Sequence, residues 1–298
     1  KNSGSISHRQ RRNLQVAKAK GLEVQRELVK PELLKEIRKW NYPIHFLDFE
    51  AGSYAVPIRA GHKPYQMLAF QYSCHTLHRD GRLQHHEWLH PGDDSHPGRS
   101  FVESLIRIPD ILEGTIVQYS GFERSALKKI YRELKLNPAG TDGFDALMER
   151  IDGIVRRNDS NGSGPPFLAD MGRLVKNYYY NVNMGGSLSI KDVLRAVMEV
   201  SPYLRERYSR PYSGSNFDGI VWWQRENGEV LNPYDILRGE NAASVGRGTE
   251  AMVAYARLRS DGTGGSSGRQ QLRSGLLSYC ELDTLAMVMI YQHWKELL

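Results

Sequence analysis

Residues 45–50 read His45-Phe46-Leu47-Asp48-Phe49-Glu50, "HFLDFE", an apolar run that carries two carboxylates where a buried strand should carry hydrocarbon. Side chains of a strand alternate between faces with period two, so Ile44, Phe46, Asp48 and Glu50 share one side and His45, Leu47 and Phe49 the other. Two anions on one face repel, and burying them unpaired costs on the order of several kcal/mol. Either this strand, assigned to 43–50, runs out into water, or its acidic face meets a cation, strong hydrogen-bond donors or a shifted pKa.

Outward from this strand, "YQMLAFQYSCHTL" (65–77) and "RLQHHEWLH" (82–90) are β-rich runs joined by Arg79-Asp80-Gly81, whose Asp-Gly pair signals a hairpin turn. A helix ending at Gly114, a buried strand "TIVQYS" (115–120) and a helix "FERSALKKIYRELKL" follow. Beyond them come another helix, "TDGFDALMERIDGIVRR", a loop "NDSNGSGPP", a strand "FLAD" (167–170), and helical "MGRLVKNYYYN". Gly185-Gly186-Ser187 is expected to open the helix through "LSIKDVLRAVMEV". Residues 201–247 are expected to be a largely irregular insertion in which "GIVWWQ" packs as a strand, and 259–269 a flexible Gly/Ser loop. One long helix over about 272–297 ends the chain. Hairpin strands followed by strands alternating with helices give an α/β domain over 41–298, a mixed sheet flanked by helices.

Ahead of it, residues 1–40 read as a basic, helical amino-terminal arm interrupted near Pro31. From Arg9 to Lys39 it holds ten Lys/Arg against four Glu, within a chain of net charge +6. That excess suits a polyanion, although such a run is more often a solvated helix face. The two cysteines, Cys74 and Cys280, lack metal-ligand spacing, which favours a reducing compartment over a disulfide framework. There is no membrane-length apolar run, so a cytoplasmic location is expected. The chain opens on Lys rather than Met, as a processed form or part of a longer protein would.

A second acid is out of place. In the last helix Leu276, Cys280, Met287, Ile290, Trp294 and Leu297 form an apolar stripe, and the missing position is Asp283, one turn after Tyr279. A third, Glu123, sits just past the strand 115–120 in the first turn of a helix, where the helix dipole also favours it. Convergence of these acids would make a site for hard divalent cations.

The set "FLDFE … YSGFE … YCELD" resembles the three motifs of the DEDD superfamily of 3′-to-5′ exonucleases, which have the ribonuclease H-like fold. Asp48 and Glu50 match the first motif; Tyr279 and Asp283 match the third in its Tyr form. The second motif usually reads Phe-Asp, where this chain has Phe122-Glu123. The span 43–297 more closely resembles an uncharacterised prokaryotic family of exonuclease-like domains often appended to a Cas4-like nuclease domain, sharing "LADMGRL", "GGSLSIKDVL" and "YCELDTLAMV" as well.

The resemblance implies that Asp48, Glu50, Glu123 and Asp283 hold two Mg2+ or Mn2+ ions for in-line phosphodiester hydrolysis, with Tyr279 orienting the attacking water. It implies a single-stranded DNA or RNA end as substrate and a place in a longer multidomain nuclease or assembly. Lys191 could meet a backbone phosphate, against the plainer role of an exposed lysine. Asp170 is expected to cap a helix. His75, His78, His85, His86 and His90 are expected at the surface; Tyr178-Tyr179-Tyr180 and Trp222-Trp223 are expected to pack rather than stack on bases. The competing possibilities are a nucleic-acid-binding or assembly module with a vestigial site, and a nuclease that cuts internally.

Overall fold

The computed structural model describes residues 4–23, 25–136, 143–156, 168–240, 245–260 and 265–298. In chain order its elements begin with α1 (His8–Ala19), β1 (Glu27–Val29) and α2 (Pro31–Ile37), then three long strands, β2 (Ile44–Ser53), β3 (Met67–Leu77) and β4 (Leu83–Leu89). Next come α3 (Pro97–Leu105), β5 (Thr115–Gln118), α4 (Phe122–Leu136), α5 (Phe144–Arg156) and β6 (Leu168–Asp170). The remainder comprises α6 (Met171–Tyr178), β7 (Tyr179–Asn181), α7 (Ile190–Val200), α8 (Pro202–Tyr208), β8 (Arg225–Glu226), β9 (Glu229–Val230), α9 (Pro233–Glu240), α10 (Gly248–Arg259) and α11 (Gly265–Lys295).

The main sheet has five strands in the order β4-β3-β2-β5-β6. β4, β3 and β2 pair antiparallel, while β5 and β6 extend the sheet in parallel from β2. This is an α/β architecture, a mixed sheet flanked by helices. The alternation in "HFLDFE" separates two cores. Ile44 and Phe46 pack in one with Leu68, Phe70 and the apolar side chains of α7, α10 and α11. Leu47 and Phe49 pack in the other with Tyr72, Cys74 and residues of α3, α4 and α5. Asp48 and Glu50 therefore emerge on the α11 side, which is why that helix matters to them.

α11 is buried throughout Leu282–Trp294, not along one stripe alone, because it lies across the sheet and under α7, α8 and α10. Only Leu297 of the expected stripe escapes, at 36% exposure near the chain end.

Several expectations are corrected. The arm is not helical throughout, since β1 interrupts it and pairs with β7, Leu28 opposite Tyr180. That pairing also turns Tyr179–Asn181 into strand rather than helix: cross-strand partners outweigh local helical pattern. Gly185, at φ 61°, closes a 3-10 turn at Val182–Met184, and α7 starts only at Ile190 with Ser189 before it. Residues 201–247 hold α8, α9 and the β8-β9 hairpin, while Ile220 forms only an isolated bridge with Tyr212 and "GIVWWQ" is not a strand. Of the loop expected at 259–269, residues 265–269 are already α11, and 261–264 lie outside the described residues, as does the loop at 158–166.

The histidines are not superficial either. His75 and His90 are buried, with His75 Nδ1 hydrogen-bonded to Thr284 Oγ1 at 2.7 Å and His90 Nδ1 to Tyr255 Oη at 2.8 Å. Burial pushes the pKa of His75 well down and that of His85, which bonds to Ser73 Oγ at 2.8 Å, to about 4, so both rings are neutral in their hydrogen bonds. Tyr179, Tyr180 and Trp222 are buried, as packing residues should be.

One close approach fixes the relation between β5 and α6. Gly172 N donates to Tyr119 O at 2.9 Å, and a Cβ at Gly172 would lie 2.1 Å from that oxygen. A Gly172→Ala substitution should force the two segments apart and cost about 1–3 kcal/mol. Denaturant unfolding would check this, and a loss within a few tenths of a kcal/mol of zero would contradict the contact.

Candidate metal centre

β2 delivers Asp48 and Glu50 to one face two residues apart, just before a register shift in its pairing with β3 at Glu50/Ala51. α11 brings Asp283 to the same point. One carboxylate oxygen from each of Asp48, Glu50 and Asp283 lies within 4.8 Å of the other two. Glu50 and Asp283 are 7% and 6% exposed, and Asp48 is half-buried. Glu123, in the first turn of α4, is 3% exposed and stands beside this group.

Burial and mutual repulsion move every one of these acids in the same direction. Asp48 is raised well above the usual carboxylate range by burial first, then by Asp283, Glu123 and Glu50. Glu50 is raised likewise by burial and Asp283, while the Lys191 ammonium pulls it down. Glu123 is pushed up to about 8, by burial and then by Asp170 and Asp283. Asp283 rises least, to about 6, because Tyr234, Lys191 and Tyr279 favour its anion against burial. The Tyr279 phenol is driven far up by burial, Asp283, Glu50 and Asp48, which keeps it protonated.

The supporting contacts come both from residues already named in the sequence and from two that were not, Tyr234 and the start of α10. Tyr234, on α9, donates from its hydroxyl to Asp283 Oδ1 at 2.5 Å. Cys280 Sγ lies 3.6 Å from Asp48 Oδ2. A Cβ at Gly248, the first residue of α10, would lie 3.8 Å from Glu50 Oε2, so a helix amino end approaches that carboxylate. Lys191 is no ordinary exposed lysine: its Nζ donates to Gly246 O and lies 4.6 Å and 5.0 Å from the centroids of Tyr234 and Tyr279. Asp170 caps α6, accepting from Arg173 N at 2.7 Å, as expected.

Nothing in residues 201–247 marked Tyr234, since a tyrosine in a segment rich in Pro, Gly and Asn carries no periodic signal. α10 was equally silent for its role at Glu50.

Two properties mark this group as a fit for hard cations. It concentrates oxygen ligands without a directly paired cation among the described residues, and Glu123 Oε2 is buried there without a hydrogen-bond partner. A second constellation, His85, Glu87 and Glu281, differs in this respect. Glu281 accepts from Ser215 N at 3.0 Å and from Asn216 N and Nδ2 at 2.8 Å each, and Asn216 Nδ2 also reaches Glu87 at 2.7 Å. Its carboxylates tie down the loop at 213–217.

A family model described as a domain of unknown function (DUF2779) matches residues 45–189. The match includes Asp48, Glu50 and Glu123 and ends before Lys191, Tyr234, Tyr279 and Asp283. No curated protein and no solved structure matches the chain. Among the described residues no helix is long and apolar enough to cross a membrane.

Raised carboxyl pKa values have a defined consequence. In the folded, metal-free chain these groups hold protons that the unfolded chain has already released, so their contribution to stability falls as pH rises from the unfolded range near ~4 through about 8. A divalent cation that binds the ionised set reverses this loss and releases protons. The rise in melting temperature caused by Mn2+ should therefore grow between about pH 5.5 and about pH 8.5 in differential scanning calorimetry. An increment that is flat or shrinks with pH would contradict the geometry.

Proposed function

We propose that the protein is a metal-dependent 3′-to-5′ exonuclease that hydrolyses phosphodiester bonds of DNA or RNA. The observation that carries this is the meeting of Asp48 and Glu50 with Asp283 within 4.8 Å, although Glu50 and Asp283 stand 233 positions apart in the chain. The sheet order supports the ribonuclease H-like assignment that the three motifs imply, with the acids gathered where β2, the start of α4 and α11 meet.

Asp48, Glu50, Asp283 and Glu123 would hold two Mg2+ or Mn2+ ions, which when bound activate water and neutralise charge on the leaving oxygen. Tyr234 donates to Asp283 Oδ1 and so restrains the rotation of that carboxylate beside Asp48 and Glu50. Tyr279 remains a neutral phenol at working pH, so it orients the attacking water by hydrogen bonding and does not take its proton. The ammonium of Lys191 packs on both tyrosine rings and adds positive charge within electrostatic reach of Asp283 and Glu50, where it would favour an anionic substrate.

With Mg2+ or Mn2+ the protein should shorten 5′-labelled single strands stepwise from the 3′ end and leave covalently closed circles intact. Asp48→Asn and Asp283→Asn should each lower the rate by roughly a hundredfold or more while circular dichroism stays unchanged. Full activity in Asp48→Asn would overturn the site. Cleavage of circles would favour an internal cutter, and salt-sensitive binding without hydrolysis a vestigial binding module.

A further inference from the structure

Lys191 is held in place by four separate segments. It sits in the first turn of α7; its ammonium donates to the carbonyl of Gly246 and faces the rings of Tyr234 on α9 and Tyr279 on α11. Its backbone carbonyl accepts from Asn232 Nδ2 at 3.4 Å, and Gly246 N is fixed by Glu250 Oε2 at 2.7 Å. A long flexible side chain immobilised this completely is a positioned charge.

The ammonium is within electrostatic reach of Asp283 and Glu50, yet among the described residues it forms no direct ion pair with either. Its other charged neighbours are Glu250 and Arg238. Packing against two tyrosine faces keeps it cationic in a partly dry setting without using the carboxylates as its partners. The cluster's carboxylates are thus not ion-paired to the ammonium, which stays within electrostatic reach of them while packed on the tyrosine rings.

Charge balance shows what such a cation would do. Four ionised carboxylates, two divalent ions, one phosphodiester and one ammonium sum to zero. Without the ammonium the metal-loaded site is neutral, and the charge of a bound phosphodiester is left uncompensated.

We propose that Lys191 is a built-in cation of the cluster that opposes divalent-metal binding and attracts the substrate phosphate. This rests on the assignment of the cluster as a two-metal nuclease centre. Neutralising Lys191 must then move two affinities in opposite directions. A lysine that merely supported the local fold would move both the same way, or neither.

The test is titration calorimetry on the full chain, with Mn2+ alone and then with thymidine 5′-monophosphate at saturating Mn2+. Lys191→Met and Lys191→Gln remove the charge and keep most of the stem; Lys191→Arg keeps the charge. Melting temperatures near that of the wild type establish that each variant is folded. The neutral variants should bind Mn2+ about tenfold more tightly and the nucleotide about tenfold more weakly, with Lys191→Arg close to wild type on both. Weakening of both ligands together, or no change in either, would overturn the role of Lys191 and leave the metal centre standing. Failure of the wild type to bind Mn2+ at millimolar concentration would remove the centre itself, and this proposal with it.

Discussion

Like charges gathered in a place with little water are the constraint around which this molecule is arranged. Asp48, Glu50 and Asp283 converge at the crossing of β2 and α11, with Glu123 beside them, and each is held above the ordinary carboxylate range. A fold tolerates such a cluster only if donors, a cation or protons relieve it. Here the relief comes from separate directions: the Tyr234 hydroxyl on Asp283, the Lys191 ammonium behind the tyrosines, and the amino end of α10 near Glu50.

The rest of the fold makes that crossing rigid. Two apolar cores, one on each face of the sheet, clamp β2, and Phe70 stacks on Tyr255 of α10 with centroids 4.1 Å apart. α11 is anchored through the hydrogen bonds of Glu281 to Ser215 and Asn216, and of Thr284 Oγ1 to Ser73 and His75. Glu281 and Asp283, two residues apart on one helix, thus have different roles. One carboxylate is fully engaged by a loop; the other keeps an oxygen toward the cluster.

The acids were legible in the sequence because each violates a rule that its neighbours obey. Asp48 and Glu50 break the apolar character of a strand face, and Asp283 breaks a helical stripe. Elements with strong local periodicity were legible for the same reason. What stayed hidden depends on contacts between distant segments. The tyrosines at 179–180 became strand because Glu27–Val29 pairs with them. The segment 201–247 takes its order from Trp222 packing in the core and from the Glu281 carboxylate, and neither interaction leaves a local signature. Lys191 and Tyr279 could be named from their motifs, but Tyr234 meets them only because α7, α9 and α11 converge, and that meeting leaves no local signature.

The proposed chemistry depends on Asp48, Glu50 and Asp283 holding a metal ion. Anomalous scattering from a crystal soaked in Mn2+ at about pH 8 measures this directly. The expected result is a peak coordinated by oxygens of Asp48, Glu50 and Asp283, with Glu123 turned toward the site. Carboxylates that stay paired with one another and with Tyr234, with no anomalous density between β2 and α11, would contradict it.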